Sequence, residues 1–457
     1  MQELSEIIKQ INDFIWGLPM IVLLVGTHIY LTFRLKVPQR KLFTGIKISV
    51  KSDSASKGDV SQFGALATSL AATIGTGNII GVATAISMGG PGAVFWCWLT
   101  GLFGIATKYS EGLLAIKYRV KNSSGEMSGG PMYALEHGLG QRWLSVLFCI
   151  FTAIAAFGIG NTVQANAISE NVCQLTSGFL PDEYSRIIIG VVIASVIALV
   201  IFGGVKSIAR CCTTLVPFMA LFYVLGCFYI LCVNSSYIIP AIKWILSDAF
   251  STESAVGGAV GSAIMMTMRF GVARGLFSNE SGMGSAPIVA AAAKTKNPVR
   301  QALVTSTATF WDTVIICSLT GLVIVTSIIA FPDIDLKNQG LLTSMAFGKI
   351  PYVGTPLLIV GIITFAFSTI LGWGYYGEKA VEYLSGKRYI KWYRTAWVLM
   401  TIVGCVLNLK DLWNFADLTN ALMALPNLIS LILLSEVIAK DTEYYLWENR
   451  LNEAEQS

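Results

Sequence analysis

Charge is what this sequence has least of. Of its 457 residues only 13% are Asp, Glu, Lys or Arg, against 54% hydrophobic, whereas a water-soluble chain carries about 25% charged residues. The deficit is filled by apolar runs long enough to cross a bilayer, which excludes an ordinary soluble globule. Histidine is almost missing. His28 lies in the first apolar run and His137 in a loop, and neither joins a nucleophile or a metal-ligand cluster, so a membrane enzyme lacks its working parts. No G-x-x-x-x-G-K-[ST] run is present to cradle a nucleotide, which excludes ATP as the energy source. No dense Lys/Arg run with interleaved aromatics points to nucleic acid. The nine cysteines form no framework: Cys149, Cys227, Cys232, Cys317 and Cys405 sit in apolar runs as small hydrophobes. The adjacent Cys211 and Cys212 have no second pair at metal-site spacing. Glu3, Glu6 and Lys9, ahead of the first apolar run, do not make the basic start of a signal peptide.

What is present is an all-α pattern of eleven candidate membrane spans: about 15–33, 61–88, 92–117, 143–172, 186–203, 212–233, 255–289, 302–330, 355–376, 394–410 and 413–438. With the N-terminus outside, the outer connections hold only Lys9, Arg186, Lys243, Lys337, Lys349 and Lys410, and most other basic residues fall inside. The positive-inside rule therefore puts the N-terminus outside and the C-terminus in the cytoplasm of a cell-membrane protein. The chain reads as one integral membrane transport domain. Residues 1–60 give a peripheral first span and a basic inner connector, and 439–457 a cytoplasmic tail. Between them, 61–233 and 255–438 each contain five spans, so the two halves cross the membrane in opposite senses. Each begins with a long span interrupted by glycine and polar residues. Inverted halves with matching interrupted helices point to a transport site near the bilayer midplane.

The first interruption is Ala71-Ala72-Thr73-Ile74-Gly75-Thr76-Gly77-Asn78-Ile79-Ile80-Gly81. Each glycine costs about 1 kcal/mol relative to alanine in a helix interior, so Gly75 and Gly77 invite a break. Hydrocarbon cannot satisfy the backbone groups that a break releases. The N–H groups and positive dipole end near Gly75–Asn78 suit a carboxylate. The orphan carbonyls of 71–74 suit a cation, either an ammonium group or Na⁺. A tight helix-packing surface is the competing reading, but Thr and Asn beside the glycines favour binding.

Longer runs carry a family resemblance. Gly75-Thr76-Gly77-Asn78, Gly89-Gly90-Pro91-Gly92-Ala93-Val94-Phe95-Trp96-Cys97-Trp98, Gly129-Gly130-Pro131-Met132-Tyr133, Gly275-Leu276-Phe277-Ser278-Asn279-Glu280 and Leu371-Gly372-Trp373-Gly374-Tyr375-Tyr376-Gly377-Glu378 resemble the alanine or glycine:cation symporters, the sodium:alanine symporter family. Cys97 stands where methionine is expected, a change of volume more than of chemistry. The family is similar in architecture to the bacterial leucine transporter, with a five-plus-five inverted-repeat core. The resemblance implies a secondary symporter that couples inward sodium movement to uptake of alanine or glycine by alternating access. A proton-coupled carrier, or one preferring glutamine or serine, is the alternative within the same fold.

The resemblance also assigns residues. Thr73, Gly75, Thr76, Gly77, Gln164 and Trp373 would form the substrate site, the amides of 75–77 holding the carboxylate and Gln164 accepting from the ammonium group. Sodium would lie against the carbonyls of Ala71 and Ile74 and the hydroxyls of Ser368 and Thr369, and Asn78 matches a second sodium position. No cofactor beyond the coupling ion is implied. Trp373 reads either as a pocket wall or as an interface anchor, with the motif favouring the wall, whereas Tyr375 and Tyr376 read as anchors. Asn161 and Asn166, near Gln164, remain open between ligand contact and helix–helix bonds. Arg269 and Arg274 suggest an inner gate with Glu280 as a partner, and Gly271 and Gly275 are the hinge candidates. Lys108 and Glu111 are expected to neutralise each other, and Asp312 reads as a hydrogen-bonded structural carboxylate ahead of a proton- or cation-binding one.

Overall fold

The structure, a computed structural model, describes residues 10–12, 14–51, 56–176, 181–251, 260–338, 341–406 and 410–455. The start of the span expected at 255 lies outside them. Helices occupy each of the predicted spans. They are α1 (Leu18–Arg34), α2 (Leu42–Ser49), α3 (Gln62–Thr73), α4 (Val82–Gly89), α5 (Ala93–Lys117), α6 (Arg142–Ala155), α7 (Val163–Thr176), α8 (Asp182–Ile201), α9 (Gly204–Val233) and α10 (Ile238–Asp248). After them come α11 (Val260–Asn279), α12 (Pro287–Ala290), α13 (Pro298–Thr309), α14 (Ser318–Ala330), α15 (Leu342–Gly348), α16 (Gly354–Ser385), α17 (Ile390–Val406), α18 (Lys410–Leu433) and α19 (Ser435–Thr442). The stretches 142–174, 182–201, 204–233, 298–330 and 354–406 are long and apolar enough to cross a membrane, and three bent helix pairs add candidates.

Local chemistry starts these helices. Ser61 Oγ accepts from Gly64 N at the head of α3, and Asn297 Oδ1 accepts from Arg300 N ahead of Pro298, the first residue of α13. Both fill orphan amides of a first turn. The outer faces of α8 and α9 expose Val192, Leu199, Phe218, Leu225 and Phe228, an apolar surface that suits lipid rather than water.

Wide π-helical turns interrupt three central helices: Gly77–Gly81 ahead of α4, Ala156–Thr162 between α6 and α7, and Phe310–Cys317 between α13 and α14. Such turns free backbone groups and commonly mark functional positions.

The two discontinuities differ in kind. At the first, α3 and the helix that resumes at Gly77 are bent by 52°, with Ile74 extended between them (ψ 91°). The second was expected within 269–280, with Gly271 and Gly275 as hinges. Instead α11 runs through both glycines to Asn279. A β-carbon at Gly271 would lie 2.3 Å from Ala93 O, and one at Gly275 would lie 2.2 Å from Thr100 Oγ1. These glycines bring α11 close to α5. The break starts at the last residue of the expected stretch and runs past it, where Glu280, Gly282 and Gly284 take positive φ of 55°, 88° and 85°.

On one face the ends of the two broken spans meet through the main chain. Asp59 N and Val60 N donate to Ala292 O, and Lys294 N donates to Val60 O. Gly58 makes the approach possible: at φ +153°, its β-carbon would sit 2.5 Å from Lys294 N. Arg119, just past α5, donates to Ala291 O, Ala293 O and Lys57 O. A short hairpin, β1 (Val120–Lys121) with β2 (Met127–Ser128), flanks this closed face, where Met127 N donates to Asp59 Oδ2. Residues 449–455 are strapped to the same face by Asn297, whose amide donates to Leu451 O and Glu453 O.

Candidate substrate and cation site

Four of the expected cation ligands meet at the first break. Ser368 Oγ lies 3.1 Å from Ala71 O. Thr369 Oγ1 lies 3.2 Å from Ala71 O and 3.3 Å from Ile74 O. The two carbonyls are released where α3 ends, and α16 brings the two hydroxyls across to them. Each hydroxyl also donates to Phe365 O, at 2.9 and 3.0 Å. The result is a compact, buried set of neutral oxygens. Oxygen ligands suit a hard cation, and the carbonyl end of a half-helix adds the negative end of its dipole.

The amide side of the break is also organised. Gly75 N donates to Asn78 Oδ1 at 2.9 Å, and Thr76 N donates to Gln164 Oε1 at 3.2 Å. Gln164 Nε2 in turn donates to Ile159 O, a carbonyl of the wide turn that precedes α7. Gln164 thus holds an amide of the break, across the space where an amino-acid carboxylate would lie. Thr76 Oγ1 is buried and has no hydrogen-bond partner among the described residues. Thr73 lies one turn back, its hydroxyl donating to Ser69 O.

An open cavity of roughly 540 Å³ descends to this point. Thr76, Gly77 and Phe277 line it, as do Arg274 and Asp417, which approach each other to 3.9 Å. Asn166, Glu170 and Gln174 line the α7 side. Sequence reading left Asn166 open and missed Glu170 and Gln174, although the signal is present: three polar residues four apart make a stripe on one helical face.

Asn78 ties the break to the rest of the core. Its amide nitrogen donates to Asp312 Oδ1 at 2.7 Å. Asp312 Oδ2 accepts from Ser278 Oγ at 2.8 Å and Thr313 Oγ1 at 2.7 Å. Asp312 lies in the wide turn 310–317, and Ser278 sits at the end of α11. The carboxylate therefore links the first break to the approach of the second.

Several expectations change. Trp373 is buried, not an anchor: its indole N–H donates to Glu280 Oε1 at 2.8 Å, and its ring lies against Gly160. It is not among the residues lining the open cavity. Tyr375 and Tyr376 are also buried rather than anchored at an interface. Arg274 belongs to the open cavity and pairs with Asp417, while Glu280 binds Trp373 and Ser285. Arg274 and Glu280 are therefore not a gating pair. Glu111 and Lys108 remain electrostatic neighbours but form no direct ion pair among the described residues; Glu111 Oε1 instead accepts from Gly282 N, Gly284 N and Asn427 Nδ2 at 3.1, 3.0 and 2.7 Å. A carboxylate that holds two released amides is the main support of the second break. Replacing Glu111 with alanine is expected to lower the unfolding temperature in detergent by several degrees, while Glu111→Gln, which keeps one acceptor, loses less. Asn161 makes a helix–helix bond to Trp397 O, and Asn166 lines the cavity.

A family model for the sodium:alanine symporter family matches residues 1–457. The chain belongs to that family. Among its relatives, the sodium/alanine symporter AgcS of Methanococcus maripaludis is 49% identical over 458 residues, covering 98% of both chains. A probable sodium/glutamine symporter, GlnT of Bacillus subtilis, is 36% identical over 440 residues, covering 96% of this chain and 90% of that one. The fold is similar to the crystal structure of MhsT in complex with L-phenylalanine. The TM-score is 0.63 at 13% identity, covering 86% of this chain and 95% of that one. The architecture is thus leucine-transporter-like, and the symporter is a multi-pass membrane transporter rather than an enzyme. Sodium-coupled amino-acid transport follows from the family.

Proposed function

We propose that this symporter carries alanine, and glycine by the same contacts, into the cell with sodium by alternating access between its two inverted halves, 61–233 and 255–438. One observation carries the reading: a single helix break offers an oxygen cage and an amide-lined floor side by side. The cage of Ala71 O, Ile74 O, Ser368 Oγ and Thr369 Oγ1 takes sodium. The amides of Gly75, Thr76 and Gly77 take the carboxylate. On binding, the carboxylate replaces Gln164 Oε1 at Thr76 N, and the released amide oxygen accepts from the ammonium group. Thr76 Oγ1 supplies a further polar contact on the floor. Asn78, held between Gly75 N and Asp312, keeps its reading as a ligand of a second sodium, reached when that network rearranges. Trp373 limits side-chain size from behind Gly160 once the cavity closes.

The state is outward-facing. The cavity opens on the side of Thr84, Gln174 and Thr343, near connections that the positive-inside rule places outside. The closed face bears Lys57, Lys117, Arg119 and Lys294. Tightening the Arg274–Asp417 pair from its present 3.9 Å would narrow the cavity, and parting the main-chain pairing of 59–60 with 292–294 would open the other side. Sodium and substrate then raise each other's affinity equally, because binding linkage is reciprocal.

The test is radiolabelled alanine uptake into proteoliposomes under an inward sodium gradient, repeated with potassium or protons in place of sodium. Sodium alone should drive accumulation, and equal uptake in all three would reject the proposal. Competition by glycine, serine and glutamine decides the preferred substrate. Thr369→Ala removes one oxygen of the cage and is expected to weaken apparent sodium affinity about tenfold, near 1.4 kcal/mol, with little change in the ranking of amino acids. A changed ranking at unchanged sodium dependence would move Thr369 to the substrate.

A further inference from the structure

On the closed face, a cleft of roughly 500 Å³ lies between the end of α5, the hairpin and residues 57–59. Lys57, Lys117, Arg119 and Lys121 line it. Lys117 is committed to Asp441 at 2.6 Å. The other three make no ion pair among the described residues. Arg119 spends its donors on the neutral carbonyls of Ala291, Ala293 and Lys57. Of the two carboxylates in the cleft, Asp59 accepts from Met127 N through Oδ2, and Glu455 contributes to the lining without forming an ion pair among the described residues. Lys57, Arg119 and Lys121 outnumber the carboxylates of Asp59 and Glu455, so the concavity keeps an excess of positive charge and focuses a positive potential.

We propose that this cleft binds a phosphate group, borne by an anionic lipid headgroup or free in solution. A phosphate group has the charge and the several acceptor oxygens needed to meet three cations at once, which a halide lacks. The cations come from separate segments that the closed face brings together. Lys57 adjoins the main-chain pairing at Gly58–Val60, Arg119 grips the second half of that pairing, and Lys121 lies on the hairpin that holds Asp59. A ligand bridging them binds the closed arrangement better than the open one and shifts the population toward it. Glu455, an anion in the same cleft, opposes the phosphate. The site is independent of the amino acid and of the ion carried.

The test uses the full chain and needs no transport. Thermal unfolding in detergent is followed while inorganic phosphate replaces chloride at constant sodium and ionic strength. A second arm compares nanodiscs of phosphatidylcholine with and without phosphatidylglycerol. A saturable rise in unfolding temperature is expected in at least one arm. A rise with inorganic phosphate identifies a soluble source, and a rise with phosphatidylglycerol a lipid source. The double variant Lys57→Gln/Lys121→Gln should lose the rise while unfolding near the parent temperature without phosphate. Glu455→Gln should lower the concentration that gives half the rise. No rise in either arm, an undiminished rise in the double variant, or a weaker response in Glu455→Gln would overturn the assignment.

Discussion

Replacing Gly75 with alanine is expected to abolish sodium-driven alanine uptake while the protein still reaches the membrane. A β-carbon at this position would lie 2.5 Å from Thr369 Oγ1 and 3.3 Å from Gln164 Oε1. One of these atoms belongs to the proposed cation cage, and the other holds Thr76 N. Neither can retreat cheaply: Thr369 Oγ1 already donates to Phe365 O within α16, and the Gln164 amide is held at both ends. Overpacking of this kind costs about 1–3 kcal/mol, or about 5- to 150-fold in binding, and here it falls on sodium and substrate together. Gly77→Val should block the floor by a different contact, since its β-carbon would meet the Phe277 ring at 2.9 Å. Gly81→Ala is the control, because the nearest atoms to its β-carbon lie 4.0 Å away. Sodium titration of uptake, normalised to protein in the membrane, separates the three. A normal sodium response in Gly75→Ala would show that the cage lies elsewhere.

The second large effect is expected at Asp312. Asp312→Ala removes the acceptor used by Asn78 Nδ2, Ser278 Oγ and Thr313 Oγ1, all buried. A buried donor left without a partner costs about 1–3 kcal/mol. Asn78 Nδ2 retains Asp312 O and Cys317 Sγ, both at 3.3 Å, and Ser278 Oγ retains Cys317 Sγ at 3.1 Å, but the carbonyl contact is long and sulfur is a weak acceptor. Both breaks therefore loosen together. The expected result is a marked fall in unfolding temperature and in transport, with Asp312→Asn intermediate because it restores one acceptor. An unfolding temperature equal to the parent's would mean that this network does not hold the breaks.

The first break was legible because Gly-Thr-Gly-Asn contradicts the apolar helix around it, and the contradiction is local. Ser368 and Thr369 were reachable only through the family resemblance: about 300 residues separate them from Ala71 and Ile74, and nothing within α16 points to that carbonyl end. The hinges of the second break were misplaced for a physical reason. Gly271 and Gly275 signal helix packing, and glycine in a sequence does not say which of its uses applies. The real break rests on Glu280 in a left-handed conformation and on Glu111, 171 residues before Gly282. Glu111 beside Lys108 on one helix reads as a local pair, since the tertiary contact that claims it leaves no trace in spacing. Tyr375 and Tyr376 look like interface anchors only if the span ends near 376. Because α16 continues to Ser385, they lie within it and are buried.

The seam on the closed face is made of main chain. Asp59 N, Val60 N and Lys294 N are its donors. Each such amide exchanges its hydrogen with solvent deuterium only when the bond opens. The transporter thus carries three native isotope clocks at the seam that the proposed mechanism parts for inward release. No probe, cysteine or fluorophore has to be introduced to read them. Their deuterium uptake, timed with and without sodium and alanine, would measure how often that seam opens in the unmodified protein.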